Sequence, residues 1–275
     1  NNQSLPFSWN VYLTDKPKCL MGILNLTPDS FSGDGLFGSS SESVNMPDSK
    51  LLKEDLNRAY KNFHNQKISI VDVGAESTKP SVKHIDLEEE LSRANLYLEN
   101  LNVGIINNYL HSIDTYKYQV VKRYIKFNLQ LKSNVFRIVN DVSGGGDRRM
   151  IDLIINHNLG IILSHRHPDS KFIHEKFHYE DPVEEVKLHL SKQVQNLLDR
   201  GVQKDSIAID PALGFGKDEE VSYRILDNIE QLSFGYPIVV GFSKKKFSLA
   251  FRMDSLQLTE FAFSKGVSVV RLHIS

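Results

Sequence analysis

The chain has 275 residues, 40% of them hydrophobic, enough apolar material for one large core at the size where an α/β barrel of about 250 residues closes. With 33 basic and 34 acidic side chains the formal net charge is −1, so no global field favours nucleic acid or an anionic membrane surface. The single Cys19 excludes a disulfide within the chain, and the lack of a long apolar run or a charged-then-apolar leader reads as a cytoplasmic protein.

Residues 1–18 read as a polar N-terminal arm or linker end, with one tryptophan, Trp9, and no assigned chemistry. A barrel domain is expected over 19–275. Residues 20–26 form an apolar strand interrupted by Asn25, as where a central strand reaches the rim of its sheet. Thr27-Pro28-Asp29 ends it, because proline has no amide for the ladder. Gly33 and Gly35 follow as positions for positive φ or close approach to a ligand, and 36–49 is a long Ser-rich loop.

Leu51, Leu52, Leu56, Ala59, Tyr60 and Phe63 recur at helical spacing. The second strand, 68–73, carries Asp72 and leads into Gly74-Ala75-Glu76-Ser77-Thr78-Lys79-Pro80. Asp86 caps a helix to about 101, and 110–114 is a strand ending in Asp114. A helix over 116–127 precedes the strand 135–142, which carries Asn140 and runs into Gly144-Gly145-Gly146. The pattern continues with a helix at 147–157, a strand at 160–163 before Ser164-His165-Arg166-His167, and a helix at 182–200. A strand at 206–209 reaches Asp210, a helix covers 221–232, and a strand at 237–240 leads to Lys244-Lys245-Lys246. The helix 257–265 and the strand 267–272, with Arg271 and His273, complete the series.

Eight short apolar strands separated by helical patterns predict parallel βαβ units closed into a (β/α)8 barrel, with an open doubly wound sheet as the alternative. In a barrel all the polar strand ends lie on one face. The chain ends at Ser275, so the eighth helix is expected beyond the sequence given. Asp72, Asp114 and Asp210 would face one another across the mouth with Asn140, and carboxylates gathered there call for donors or a cation. A planar ring edge rich in N–H groups would satisfy them. Lys79, Lys217, Lys245, Arg271 and His273 bring positive charge to the same face, suited to phosphate or pyrophosphate.

Other chemistries lack support. No Walker A spacing occurs, and Gly144 to Gly146 read as a strand-to-helix turn. His165 and His167 would point to opposite sides of an extended segment without a third ligand, which argues against zinc. No nucleophile stands beside a base.

The string MGILNLTPDSFSGDG from Met21, together with the strand ends that follow in order as far as His273, resembles dihydropteroate synthases, barrel enzymes of folate biosynthesis. The resemblance implies condensation of p-aminobenzoate with a dihydropterin diphosphate, with release of pyrophosphate. It implies that Asp114, Asn140, Asp210 and Lys245 hold the pterin, and that Asn25, Arg271 and His273 hold the pyrophosphate, Asn25 together with a magnesium ion. Phe31, Thr78, Lys79 and Pro80 would border p-aminobenzoate, and Asp72, Asp114 and Lys245 would act in catalysis. A homodimer goes with the family, and fusion behind a pyrophosphokinase domain stays open.

The match has departures. Lys79 and Lys244 stand where the family usually has Arg, Lys246 where it often has Ser, and Ile274 where an Asp follows the last His. The Ser164 to His167 segment matches a Met-rich family segment only loosely. The rivals are a pterin-binding barrel that passes a folate methyl group to a corrinoid, which has no use for a pyrophosphate site, and a non-catalytic domain of a larger folate-pathway protein.

Overall fold

The computed structural model describes residues 5–26, 49–75, 85–171, 175–242 and 253–274. Its strands are β1 (Cys19–Asn25), β2 (Ile70–Gly74), β3 (Leu110–Asp114), β4 (Phe136–Asp141), β5 (Gly160–Ser164), β6 (Ile207–Asp210), β7 (Val239–Gly241) and β8 (Val269–His273). They join in the order β6-β5-β4-β3-β2-β1-β8-β7, and every pairing is parallel. A parallel bridge between Ile209 and Ile238 closes the ring, with the Ile209 amide donating to the Pro237 carbonyl at 2.9 Å. The sheet is therefore a barrel, not the open doubly wound alternative.

Around it lie α1 (Trp9–Thr14), α2 (Ser49–Asn65), α3 (Leu87–Asn100), α4 (Val103–Ile106), α5 (Tyr118–Leu131), α6 (Arg148–Asn156), α7 (Pro182–Asp199), α8 (Glu219–Asp227) and α9 (Ser255–Ser264). Aspartate starts many of them. Asp86, Asp147, Asp181, Asp218 and Asp254 each accept from an amide of the first turn that has no partner inside its helix. The helix expected over 221–232 is instead α8 followed by a 3-10 turn, Ile229–Leu232. Asn228 separates the two, capping α8 while its side chain donates to the Arg224 carbonyl at 2.9 Å.

Strand alternation divides the barrel interior into two zones. Met21, Ile70, Ile138, Ile162, Ala208, Val239 and Val269 form one apolar cluster inside the ring. Two residues further along their strands stand Ile23, Asp72, Asn140, Ser164, Asp210, Gly241 and Arg271. Since side chains two apart share a face, the lower half of the lumen is oily and the upper half polar. Several strands run one residue further than expected, so that Gly74, Ser164, Asp210 and His273 belong to the ladder. A polar side chain does not end a parallel strand while its backbone groups still find partners.

The segment read as a polar arm is docked under the barrel. Phe7 and Trp9 join the lower cluster, with Trp9 wholly buried. Three bonds fasten the segment at the N-terminal strand ends: the Phe7 amide to the Asn158 carbonyl at 3.0 Å, the Ser206 hydroxyl to the Phe7 carbonyl at 2.7 Å, and Arg137 to the Leu5 carbonyl at 2.8 Å. Gly160 makes room for the plug, because a Cβ there would lie 2.4 Å from Phe7 Cδ1.

Candidate active site

The polar upper zone is built around Arg271. Its Nε donates to Asp72 Oδ2 at 2.6 Å and its Nη2 to Asp114 Oδ2 at 2.8 Å. Asp72 is fully buried and also accepts from Asn140 Nδ2 at 3.1 Å and from the Ser112 hydroxyl. Burial works against the Arg271 charge, yet Asp72, Asp114 and Asp210 outweigh it and hold the guanidinium above its ordinary pKa. The carboxylates expected to need donors thus find one within the chain, at the centre of the mouth.

Across from this pair, Asp210 Oδ1 accepts from the Ala212 amide at 2.7 Å. Burial raises its pKa to about 6, against the lowering effects of that amide, Arg271 and Lys217. Asn140 contributes an acceptor, since its Oδ1 is buried with no hydrogen-bond partner among the described residues. A buried acceptor without a donor costs about 1–3 kcal/mol, and a ligand N–H would relieve it. Asn25 and His273 end the neighbouring strands β1 and β8, with His273 two places past Arg271 on one strand.

The structure therefore gathers Asn25, Asp72, Asp114, Asn140, Asp210, Arg271 and His273 at one end of one barrel. Phe31, Thr78, Lys79, Pro80 and Lys245 lie outside the described residues, as do Lys244 and Lys246. Lys217, expected among the anion-binding cations, is buried and donates to the carbonyls of Ala212 and Phe215 at 3.2 and 3.1 Å. His165 and His167 do not diverge. Both meet His189 of α7, with ring centroids 5.3 and 5.1 Å away, because the chain has left the strand by that point. Among the described residues no group of three or more His, Cys, Asp or Glu is placed to hold a metal.

The glycine run is a turn, as expected. Gly144 and Gly145 have φ near +81° and +78°, and Asp141 accepts from the Ser143 and Gly145 amides.

Two contributors were not singled out from sequence. Ser112 supports Asp72, and strand alternation would have found it two places before Asp114. Arg93 of α3 donates to the carbonyls of Ala75 and Leu26 at 2.9 and 3.5 Å, tying together the ends of β2 and β1. Helical spacing marks Arg93 only as a surface residue, and no sequence signal points to that contact.

Residues 21–273 match the family model described as "Pterin binding enzyme". The dihydropteroate synthase of Bacillus subtilis is 30% identical over 274 residues, covering 95% of this chain and 85% of that protein. That of Streptococcus pyogenes is 28% identical and covers 95% and 92%. Among solved structures, the Anaplasma phagocytophilum dihydropteroate synthase with bound 6-hydroxymethylpterin-monophosphate superposes with a TM-score of 0.70 at 29% identity, covering 94% of each chain. The Burkholderia cenocepacia enzyme complexed with 7,8-dihydropteroate gives 0.71 at 26% identity, covering 93% of this chain and 86% of that one. With a family match from Met21 to His273 running through the polar end of every strand, the chain belongs to the dihydropteroate synthases among the pterin-binding enzymes.

Proposed function

We infer that this chain is a transferase that condenses p-aminobenzoate with 6-hydroxymethyl-7,8-dihydropterin diphosphate to give 7,8-dihydropteroate and pyrophosphate. The observation that carries the reading is the buried acceptor set at the barrel mouth, Asn140 Oδ1, which has no hydrogen-bond partner among the described residues, and the buried Asp210 carboxylate two strands away. Such a set calls for a planar ligand edge with several N–H donors, which a pterin presents. The relatives named above give no support to the corrinoid methyltransferase reading.

In this reading Asp114, Asn140, Asp210 and Lys245 hold the pterin. Asn25, Arg271 and His273 receive the diphosphate, and Phe31, Thr78, Lys79 and Pro80 border p-aminobenzoate. The aryl amine attacks the pterin methylene carbon; a C–N bond forms, the C–O bond to the diphosphate breaks, and the nitrogen loses a proton. The chain's task is electrostatic: Arg271 and His273 meet the departing anion, and the Asp72 and Asp114 charges offset positive charge growing on the methylene. Arg271 spends Nε and one Nη2 donor on carboxylates, which leaves the other donors of its fork to be offered to the anion. Lys245 completes the catalytic set.

Magnesium fits this mouth as an ion carried in with the diphosphate, Asn25 adding one hard oxygen, since Mg2+ keeps most of its water and leans on substrate phosphates. It would act as a Lewis acid on the leaving group. A cytoplasmic homodimer, with room for a pyrophosphokinase domain upstream, goes with the assignment. The test is pyrophosphate release when the pterin diphosphate and p-aminobenzoate are supplied together. Release with both and with neither alone is expected; no release from folded protein leaves only the non-catalytic domain.

A further inference from the structure

Asp210 does not face the mouth unaided. Its Oδ1 is met by the Ala212 amide at 2.7 Å, and Ala212 sits at φ +53°, in the left-handed region that a residue with a Cβ rarely adopts. The carbonyl of Ala212 accepts from Lys217 Nζ at 3.2 Å and from the Phe215 amide at 3.1 Å. Lys217 Nζ also donates to the Phe215 carbonyl at 3.1 Å. A lysine seldom lies fully buried unless its charge is put to use. Here no carboxylate is within ion-pair distance of it among the described residues, and main-chain oxygens solvate it.

We propose that Lys217 is a positioning residue for the pterin: by holding the Ala212 carbonyl it fixes the left-handed backbone of Ala212, whose N–H aims the Asp210 carboxylate into the mouth. The chain of contacts runs Lys217 Nζ, Ala212 C=O, Ala212 N–H, Asp210 Oδ1, through two consecutive peptide planes that meet at the Ala212 Cα, where the left-handed backbone sets the angle between them. Strain of this kind persists only where neighbours impose it, and Lys217 and the Phe215 amide are the neighbours here. Burial lowers the Lys217 pKa to about 7 against the opposing Asp210 charge, and the positive charge the amine keeps opposes the effect of burial on Asp210. The other titratable groups facing Lys217 are His165 and His189, both kept neutral chiefly by burial, so they do not compete for the carboxylate.

The inference rests on the pterin reading above, and its test has one arm that needs no ligand. Lys217→Met keeps the stem and removes the donors. Lys217→Gln keeps a donor without the charge and serves if the first variant does not fold. In folded Lys217→Met protein, 6-hydroxymethylpterin should bind about tenfold more weakly, the scale of losing one charge-assisted contact, while pyrophosphate affinity stays within about twofold. The Gln variant should lose about threefold. The second arm follows the labelled Asp210 carboxyl by NMR, identified by its absence in Asp210→Asn: its titration midpoint, near 6 in the parent, should move upward in either variant. Unchanged pterin affinity with an unmoved midpoint would overturn the proposal, as would equal losses for pterin and pyrophosphate, which mark general damage to the loop. If the parent itself binds no pterin, the function assigned above fails, and the Asp210 titration still decides the role of Lys217.

Discussion

Replacing Arg271 by Met tests whether one guanidinium holds the mouth together. The side chain is 17% exposed, its partner Asp72 0% and Asp114 8%, so solvent screens these pairs little. Removing one member of a buried pair typically costs about 3–5 kcal/mol, most of it the burden of the stranded charge. Asp72 keeps donors from Asn140 and Ser112, which places the expected loss near the lower end, about 3 kcal/mol. For a chain of this length that lowers Tm by about 6–12 °C at pH 7.

Thermal scans of parent and variant at pH 7 measure it. A deficit under about 2 °C would refute the account of Arg271 as the counter-charge of this mouth. Binding should show the same coupling: the variant loses affinity for pyrophosphate and, by disturbing Asp114, some for the pterin as well.

Gly160→Ala should destabilise by about 1–3 kcal/mol through overpacking against Phe7, and in a Phe7→Ala background the same change should cost almost nothing; a double-mutant cycle that is additive would refute the contact. Asp210→Asn should abolish pterin binding by calorimetry yet raise stability at pH 8. Its folded pKa, near 6, lies above the unfolded value, so ionisation of Asp210 removes about 3 kcal/mol as pH rises from about 4 past 6; an unchanged or lowered Tm at pH 8 would contradict that. For His111, burial lowers the pKa to about 3, and the ring bonds Tyr60 Oη at 2.7 Å through Nε2. Its contribution to stability is whole above pH 6.5 and falls as acid is added, by up to about 1.4 kcal/mol per pH unit. His111→Asn should flatten the fall in Tm between pH 6.5 and 5, and an unaltered slope would remove His111 as its source.

Much of this arrangement could be read from residues in order. Parallel strands flanked by helices leave strong apolar runs, and a polar residue at the end of such a run is conspicuous; Asn25, Asp72, Asp114, Asn140, Asp210 and Arg271 were all found that way. Which of them neutralise one another was not legible. That Arg271 of the last strand lies between Asp72 of the second and Asp114 of the third follows only from closing the ring, a contact 199 residues apart in sequence. The buried role of Lys217 was missed for a similar reason. Its Gly-rich loop looks solvent-facing in sequence, and only the fold shows that the Ala212 and Phe215 carbonyls turn inwards to meet it. Trp9 was set aside because its neighbours are polar, although alternation inside the barrel leaves Gly160 as a gap that only a distant aromatic fills.

The docked Phe7 and Trp9 also settle how the molecule can be handled. The chain enters beneath the barrel, where Arg137, Asn158 and Ser206 hold residues 5–7, and the whole depth of the lumen separates that point from Arg271. A purification tag, a surface tether or a reporter joined ahead of residue 5 therefore leaves from the far face and does not crowd molecules arriving at the mouth. Trimming into Phe7 or Trp9 to shorten such a tether would instead pull the stopper from the barrel, so the joint belongs before Leu5 and no later.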